Sequence, residues 1–241
     1  MDRFYCPELP AGLTGDNRVT LEGTEAHHLI HVLRAKPGTK VELFAGDGRW
    51  ATATIVETRK RDAVLEIDQL LVDPAPAVEI WLATAVPKGD RFDWLVEKIT
   101  ELGVHRLIPL TTARSVVDPR ESKLERLKQT AVAACKQSRR SHLMTIAPVD
   151  SWDHFLKNPP AQSRFWLADP AGAEWPSADA GIVSASRWIG LVGPEGGLTA
   201  DEIALAKTCG ATPLKLGPHI LRIETAGIAF ASVALHRLGG M

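Results

Sequence analysis

Two stretches near the C-terminal end of the sequence contain residues that could bind a ligand. Residues 190–203 read GLVGPEGGLTADEI, and residues 214–226 read LKLGPHILRIETA. In each stretch, an apolar run leads into Gly-Pro, a short loop and the start of a helix pattern. Glycine lets a ligand approach the main chain closely because it has no Cβ atom. One such loop would be explained as a tight structural turn, but two on neighbouring strands indicate a binding crevice.

These loops lack the sequence of a phosphate-binding site. Neither G-x-x-x-x-G-K-[ST] nor G-x-G-x-x-G occurs, and Glu195 would repel a phosphate. Thr199 and Glu202 have the spacing of a capping box, which uses helix N–H groups that could otherwise bind an anion. A neutral or cationic ligand with a flat ring therefore fits better. A nucleotide-binding α/β enzyme is an alternative that the missing phosphate loop disfavours.

The elements that carry these loops alternate between strand and helix patterns. Strands are predicted at residues 78–85, 104–110, 145–149, 164–168, 188–192 and 212–216. Helices are predicted from the cap Asp90 to the stop at Gly103, and at residues 122–138, 199–209 and 224–238. This alternation predicts a parallel α/β sheet, in which ligands bind beyond the carboxyl ends of the strands. A third such strand end is Asp169, directly after the strand at residues 164–168.

The N-terminal part of the chain has a different pattern. Short strands are predicted at residues 3–6, 18–21, 40–45, 49–58 and 63–67, with one helix at residues 25–33 capped by Thr24. This pattern favours a small, mostly antiparallel β-barrel. Two prolines in residues 72–77 predict a stiff connector. The expected domains are therefore residues 1–72 and 73–241.

Composition limits the classes of protein that remain. The 241 residues carry a net charge of −1, so an RNA-binding face would have to be a local basic patch. The three cysteines lie far apart and have neither disulfide nor zinc spacing, which favours a reducing compartment. Because no signal peptide or run of eighteen apolar residues is found, we expect a cytoplasmic protein without a membrane partner.

Several motifs together resemble one enzyme family. LVGPEGGLTADEI, LGPHILRIETA, KGDRFDWLVEK at residues 88–98 and ELG at residues 101–103 are similar to motifs of the 16S ribosomal RNA uridine-N3 methyltransferases. These are S-adenosyl-L-methionine enzymes of the SPOUT class. QSRR at residues 137–140 and HHLIHVLR at residues 27–34 extend the resemblance over nearly the whole chain. Two positions depart from it: His219 stands where arginine is common, and Cys135 where an acid is common.

The resemblance implies a fold and a set of partners. The fold class would be α/β, with a C-terminal parallel sheet that contains a trefoil knot and an N-terminal PUA-like barrel that helps to hold RNA. Pattern alone would give an unthreaded sheet, since knots are rare. The expected partners are 16S ribosomal RNA, within the small ribosomal subunit, and a second copy of the chain in a homodimer.

The resemblance, supported by the loop chemistry, also implies a binding site for S-adenosyl-L-methionine. Glycines would pass close to the adenine and ribose, apolar side chains would sandwich the ring, and the end of the strand at residues 164–168 would close the third side. The implied contacts are Leu167, Ala168, Leu191, Val192, Gly193, Pro194, Glu195, Gly196, Gly197, Leu216, Gly217, Ile220, Leu221, Arg222, Thr225 and Ala226. No metal is expected, because the sulfonium already activates the methyl group.

Two residues are predicted to be catalytic. Arg222 would act as a fixed cation near the uracil oxygens or an RNA phosphate. Glu224 would accept the proton of N3 or orient Arg222, although an acid in the first turn of a helix is also explained by the helix dipole. Glu195 is a third candidate, with support of its own loop as the simpler role.

Basic residues outside the crevice are predicted to contact RNA. They are Arg3, His27, His28, Arg34, Lys36, Arg139 and Arg140. For Arg139 and Arg140 the alternative is favourable placement at a helix C-terminus. For His27 and His28 the alternatives are a buried pair or a solvated face.

Two further functions stay open at this point. One is a SPOUT methyltransferase that acts on another RNA base or position. The other is a non-catalytic RNA-binding protein that keeps the cofactor fold. Intact glycine loops argue against the second, since a protein without turnover could lose them.

Overall fold

The computed structural model describes residues 1–13, 15, 17–117, 121–175 and 185–239. The chain forms two compact units. The first consists of Met1–Ala75 and Cys135–Leu143, and the second of Pro76–Ala134 and Met144–Met241. The boundary at residues 72 and 73 stays a prediction, and the sequence pattern did not indicate that residues 135–143 join the first unit.

The first unit is built on a five-stranded sheet with the order β1-β3-β4-β5-β2. All neighbours are antiparallel except β1 and β3. Alternating apolar residues on these strands meet in a core that includes Phe4, Leu43 and Leu65, each fully buried. The strands are β1 (Arg3–Tyr5), β2 (Arg18–Leu21), β3 (Lys40–Phe44), β4 (Arg49–Thr58) and β5 (Ala63–Val72).

The predicted helix of this unit differs from the observed one. Helix α1 (Gly23–His27) follows Glu22, which is its N-cap, so the capping role predicted for Thr24 is wrong. The chain then forms a π-helical segment (His28–Val32), in which Leu33 N donates to His28 O at 3.0 Å. Arg34 follows with a positive φ of 52°. The helix predicted at residues 25–33 thus corresponds to α1 followed by this π-helical segment.

Residues 135–143 complete the first unit through hydrogen bonds. Leu143 N donates to Gly46 O at 2.8 Å, and Gly48 N donates to Ser141 O at 3.2 Å. Lys136 forms an ion pair with Glu25 at 2.9 Å. Contacts between residues this far apart in the sequence produce no local periodic pattern. The sequence alone therefore could not indicate that residues 135–143 join the first unit.

The second unit contains a seven-stranded sheet in which every recorded pair is parallel, as predicted. Its order is β12-β10-β11-β6-β7-β8, and β9 also pairs with β7. The strands are β6 (Glu79–Ala85), β7 (Arg106–Thr111), β8 (Thr145–Ile146), β9 (Asp150–Ser151), β10 (Ser163–Ala173), β11 (Arg187–Val192) and β12 (Thr212–Leu214). Strands β12, β10 and β11 are adjacent, which brings their carboxyl ends together.

Helices cover this sheet and largely follow the prediction. They are α2 (Arg91–Glu101), α3 (Glu121–Ser138), α4 (Trp152–Lys157), α5 (Ala200–Thr208) and α6 (Ile223–Arg237). Short α4, capped by the Ser151 hydroxyl, was not predicted. Small residues let α6 approach its neighbours, since a Cβ atom on Gly227 would lie 2.9 Å from Leu82 Cδ2. Trp94 on α2 is 46% exposed.

Two strand predictions need correction. Of the strand predicted at residues 145–149, only β8 (Thr145–Ile146) is a strand, and the separate strand β9 follows the predicted range. The strand predicted at residues 164–168 continues through Asp169 to Ala173, with a register shift against β12 after Ala168. Gly172 permits this close approach, since a Cβ atom there would lie 2.6 Å from Leu214 N.

Within the described residues, no helix has the length and apolar character needed to cross a membrane. The same part of the chain contains no group of three or more His, Cys, Asp or Glu side chains placed to bind a metal ion.

Candidate functional site

A cavity of about 420 Å³ lies in the second unit and is lined by residues 167–170 of β10 and by the loops that follow β11 and β12. Small-molecule sites commonly have volumes of about 300–1,000 Å³. The predicted contacts that line the cavity are Leu167, Ala168, Val192, Gly193, Pro194, Glu195, Gly196, Gly197, Leu216, Gly217, Ile220, Leu221 and Ala226. The three segments singled out by the sequence therefore line one cavity, although the third, around Asp169, lies within β10 and not in a loop.

Three predicted contacts do not line this cavity. Leu191 is fully buried in the hydrophobic core of the second unit, because both faces of β11 are covered. Arg222 and Thr225 are exposed at the start of α6. A ring contact by the Leu191 side chain is thus not supported.

Other residues line the cavity but were not predicted to do so. They are Asp169, Pro170, Leu198, Ile203, Leu214, His219 and Ile223. Asp169 and His219 could have been predicted from the sequence. Asp169 directly follows the strand predicted at residues 164–168, and His219 lies in the Gly-Pro loop within residues 214–226. Leu198 and Ile203 had no signal beyond their apolar character.

The loop after β11 has a defined turn. Gly197 has a φ of +72°, which favours glycine, and its N–H donates to Pro194 O at 2.8 Å. A Cβ atom on Gly193 would lie 2.7 Å from Leu198 Cγ. Gly217, in the loop after β12, differs, because a Cβ atom there would meet no protein atom within 4 Å. The protein itself does not require glycine at 217.

The predicted capping box ends the loop after β11. Glu202 N donates to Thr199 Oγ1 at 3.2 Å, and Thr199 N donates to Glu202 Oε2 at 2.8 Å. The other Glu202 oxygen accepts from Ala113 N at 2.8 Å. Arg114 Nη1 donates to Gly196 O at 2.8 Å. The segment after β7 thus supports the loop, a role that no sequence signal indicated for Arg114.

A charged cluster joins the loop after β11 to α6. Arg91 Nη1 lies 2.6 Å from Glu195 Oε1 and 3.6 Å from Glu224 Oε1. The hydrogen bond to Glu195 is the main cause that raises the pKa of Arg91. Glu224 is only 4% exposed. An acid that served only the helix dipole would not need this burial, so the cluster favours a further role for Glu224.

Arg222 is placed differently from Glu224. It is the N-cap of α6, with extended backbone at φ −66° and ψ 159°. Its side chain is exposed, and within the described part of the chain no hydrogen bond or ion pair of its guanidinium is recorded. Next to the cavity, an unengaged guanidinium is available to an anionic or carbonyl-bearing partner.

Comparison with known proteins identifies the family. Residues 74–235 match the RNA methyltransferase domain, and residues 21–68 match the RNA methyltransferase PUA domain. Ribosomal RNA small subunit methyltransferase E of Bacillus subtilis (strain 168) is 31% identical over 237 residues, which cover 94% of this chain and 93% of that protein. The chain belongs to the ribosomal RNA small subunit methyltransferase E family.

Further relatives support the fold class. The methyltransferase E of Synechocystis sp. is 33% identical and aligns with 86% of this chain and 69% of its own. A crystal structure of the methyltransferase E of Neisseria gonorrhoeae, bound to S-adenosyl methionine, has a TM-score of 0.88 at 28% identity and covers 98% of both chains. The predicted SPOUT class with a PUA-like N-terminal barrel is confirmed. The trefoil knot implied by the resemblance is a feature of the SPOUT class.

Two residues predicted to contact RNA in this methyltransferase are not on an open surface. Arg3 is 7% exposed, donates to Ser141 Oγ at 2.8 Å and lies over the Phe44 ring at 4.8 Å. Burial lowers its pKa, as it does that of Arg140, which is half-buried. We therefore correct the RNA assignment of Arg3, since it packs inside the first unit. Arg140 also lacks the exposure expected of a phosphate contact.

The other predicted RNA contacts of the methyltransferase are exposed to differing degrees. His27, Arg34 and Lys36 are exposed, whereas His28 is half-buried beside Phe4, so the two histidines do not form a buried pair. Arg139 has an exposed side chain that pairs with Glu42 at 2.7 Å, and its φ is +60°. His27 also borders a second cavity of about 630 Å³ in the first unit, whose basic lining residues are His27, His31, Lys60 and Arg61.

Proposed function

We propose that this protein transfers a methyl group from S-adenosyl-L-methionine to N3 of a uridine in 16S ribosomal RNA. The observation that carries the proposal is the cavity lined by the loops after β11 and β12, whose motifs resemble those of this enzyme family, and by residues 167–170 of β10. The small-subunit methyltransferases similar to this chain support the RNA substrate. The choice of uridine N3 comes from the resemblance to the family.

The charges around the cavity suit the cofactor. Its described lining contains Asp169 and Glu195 but neither lysine nor arginine. Such a site attracts a cationic ligand and disfavours the phosphates of ATP. The sulfonium of S-adenosylmethionine is cationic, and the open space at Gly217 admits the close approach of a ligand. The residues present therefore fit this cofactor.

Each part of the cavity would hold the cofactor in its own way. The main chain at Gly193, Gly196 and Gly197 can hydrogen-bond polar ring and ribose edges. The side chains of Leu216, Ile220 and Leu221 offer apolar surface to a flat ring. Leu167 and Ala168 would close the third side. When bound, S-adenosylmethionine supplies a methyl group that its positively charged sulfur has already activated for displacement.

Residues of the protein must remove the N3 proton and stabilise the negative charge that develops on the uracil. N3 of uracil carries a weakly acidic proton, so its removal makes the nitrogen nucleophilic. Glu224 is the group we assign as proton acceptor. Arg222 would bind the uracil oxygens, where negative charge develops as the proton leaves, or an adjoining RNA phosphate. The residues must also hold N3 in line with the transferred methyl group.

The partners follow from the same proposal. The first unit would hold RNA with the exposed side chains of His27, Arg34, Lys36 and Arg139. The resemblance to the family favours 16S ribosomal RNA within the small subunit as the substrate. The proposed homodimer would cover apolar surface such as Trp94, which is 46% exposed on α2.

Two experiments test this function. Calorimetry with S-adenosylmethionine and with ATP should show binding of the first alone; preferential binding of ATP would reject the cofactor assignment. Mass analysis of 16S rRNA, from a strain lacking this protein and after complementation, should show one methyluridine restored. Methylation at another base would favour the alternative methyltransferase, and no methylation would favour the RNA-binding protein.

A matched pair of variants tests the role of Arg222. Arg222→Ala should bind the cofactor normally but reduce methyl transfer by about 100-fold, the usual scale for loss of one fixed charge stabiliser. Arg237→Ala, at the other end of the same helix, should leave both properties unchanged. Unchanged transfer by Arg222→Ala would remove Arg222 from catalysis.

A further inference from the structure

Arg91 joins two segments that are far apart in the sequence. It is the first residue of α2, and its guanidinium contacts Glu195 in the loop after β11 and Glu224 in the first turn of α6. Arg91 is not among the described residues that line the cavity. Its recorded connection to the cavity is through Glu195, which lines the cavity.

The two oxygens of Glu224 have different surroundings. Oε1 faces Arg91 at 3.6 Å, whereas Oε2 is buried and has no hydrogen-bond partner in the described part of the chain. A buried carboxylate oxygen without a partner is unfavourable, so its presence in a folded protein calls for an explanation. The Glu224 side chain is 6% exposed, which excludes bulk water as that explanation.

The position of Glu224 in α6 connects it to the cavity. Ile223 and Ala226, on either side of it in the same helical turn, both line the cavity wall. Glu224 itself is not among the described residues that line the cavity, but Arg91 links it to Glu195, which does line it. Its unpartnered oxygen is thus available to a substrate group bound next to the cavity.

We propose that Arg91 is a positioning residue that fixes the loop after β11 to α6 and holds Glu224 by Oε1, leaving Oε2 to accept the proton of the substrate nitrogen. This inference rests on the proposed function. In the step, the N3–H bond breaks and its proton passes to Oε2. The electron pair of N3 forms the new bond to the methyl carbon, and the carbon–sulfur bond breaks with its pair left on sulfur.

Arg91 forms ion pairs with Glu195 and Glu224, and each ion pair predicts a separate effect. Through Glu195 it should influence cofactor affinity, because Glu195 lines the cavity. Through Glu224 it should influence turnover, because Glu224 accepts the proton. A residue that served only to stabilise the fold would alter neither property once the protein was folded.

The first test measures cofactor affinity. Calorimetry would compare the wild type with Arg91→Met, Glu195→Gln and the double variant. Each single variant should weaken S-adenosylmethionine binding about fivefold, and the double variant should be no weaker than either, because both remove the same contact. Losses that multiply in the double variant would overturn the proposed tie between the loop and the helix.

The second test measures turnover at saturating cofactor and RNA. Arg91→Met should lower kcat about tenfold or more in the wild type, but less than about twofold in a Glu224→Gln background. Arg91→Lys keeps the positive charge and should recover most of the lost turnover. A wild-type kcat for Arg91→Met, no recovery with lysine, or an equal penalty in both backgrounds would each overturn the proposal.

A control separates these effects from a general loss of charge. Arg126→Met removes another guanidinium that pairs with a carboxylate of α2, since Arg126 Nη2 lies 2.9 Å from Asp93 Oδ2. This variant should keep wild-type affinity and kcat. Failure of the wild type to bind cofactor or methylate RNA would reject the proposed function, whereas wild-type activity with independent variant effects would reject only the role of Arg91.

Discussion

Replacing Gly217 by alanine should separate the needs of the ligand from those of the fold. A Cβ atom at this position would meet no protein atom within 4 Å, and Gly217 is not among the glycines with positive φ. Gly→Ala at a compatible position stabilises a protein by about 0.4–1 kcal/mol, because the unfolded chain loses freedom. Because Gly217 lines the cavity, the added methyl group should still displace part of a bound cofactor.

The expected size of the effect can be worked out for one assay, thermal unfolding with and without S-adenosylmethionine. At a free concentration of 100 times Kd, a ligand adds about 2.7 kcal/mol to the stability of the wild type. A tenfold loss of affinity would leave about 1.4 kcal/mol of that gain. At about 2–4 °C per kcal/mol for a chain of this size, the ligand-induced rise in Tm should fall from about 5–11 °C to about 3–6 °C.

Gly12→Ala provides the matched control. A Cβ atom there also meets nothing within 4 Å, and Gly12 belongs to the first unit and is not among the described residues that line the cavity. It should raise the Tm of the free protein as Gly217→Ala does and leave the ligand-induced rise at its wild-type size. If Gly217→Ala showed the full wild-type rise, or lost stability without ligand, the reasoning about this glycine would be refuted.

Three further predictions follow from the contacts described. Arg3→Met should lower the free energy of unfolding by about 1–3 kcal/mol and leave RNA affinity unchanged, as measured by denaturant unfolding and filter binding, because Arg3 is buried against Ser141. Weakened RNA binding by folded Arg3→Met would contradict it. Thr199→Ala removes the capping box of α5 and should cost about 1 kcal/mol in the same unfolding assay, with no loss expected from Thr208→Ala at the other end of the helix. Burial raises the pKa of Cys6 from 9.0 to about 12, so the folded state holds this proton more tightly; the contribution of Cys6 to stability should be fully present below pH 9 and be lost between pH 9 and 12, and Cys6→Ala should reduce the fall in stability over that range, measured by denaturant unfolding.

The location of the cavity could be predicted because its determinants are local. An apolar strand followed by Gly-Pro and a capped helix can be recognised within about fourteen residues, and parallel strands place such loops at one edge. The capping box of α5 formed as predicted for the same reason, since Thr199 and Glu202 are three residues apart. The burial of Leu191 was the exception, because a strand covered on both faces gives no alternation from which to choose a face.

The exposure of the basic residues could not be predicted, because it depends on distant parts of the chain. Arg3 is buried only because Ser141 and Phe44 come to it, and Ser141 lies 138 residues away in sequence. Arginine is usually exposed, so the surface assignment followed the average behaviour of the residue type. The π-helical segment at His28–Val32 was missed for a related reason, since its hydrogen bonds do not alter the apolar pattern enough to be recognised.

The electrostatics of the site depend on the same long-range pairing. Glu195 alone would give the loop a full negative charge, but Arg91, which is 104 residues away, holds it at 2.6 Å. Asp169 remains in the cavity lining without lysine or arginine beside it, so the site still favours a cation. The same guanidinium faces Glu224 and offsets part of the cost of burying that carboxylate. One arginine at the start of α2 therefore moderates the charge of the loop after β11 and also pairs with the buried carboxylate of Glu224, the proton acceptor in our proposal.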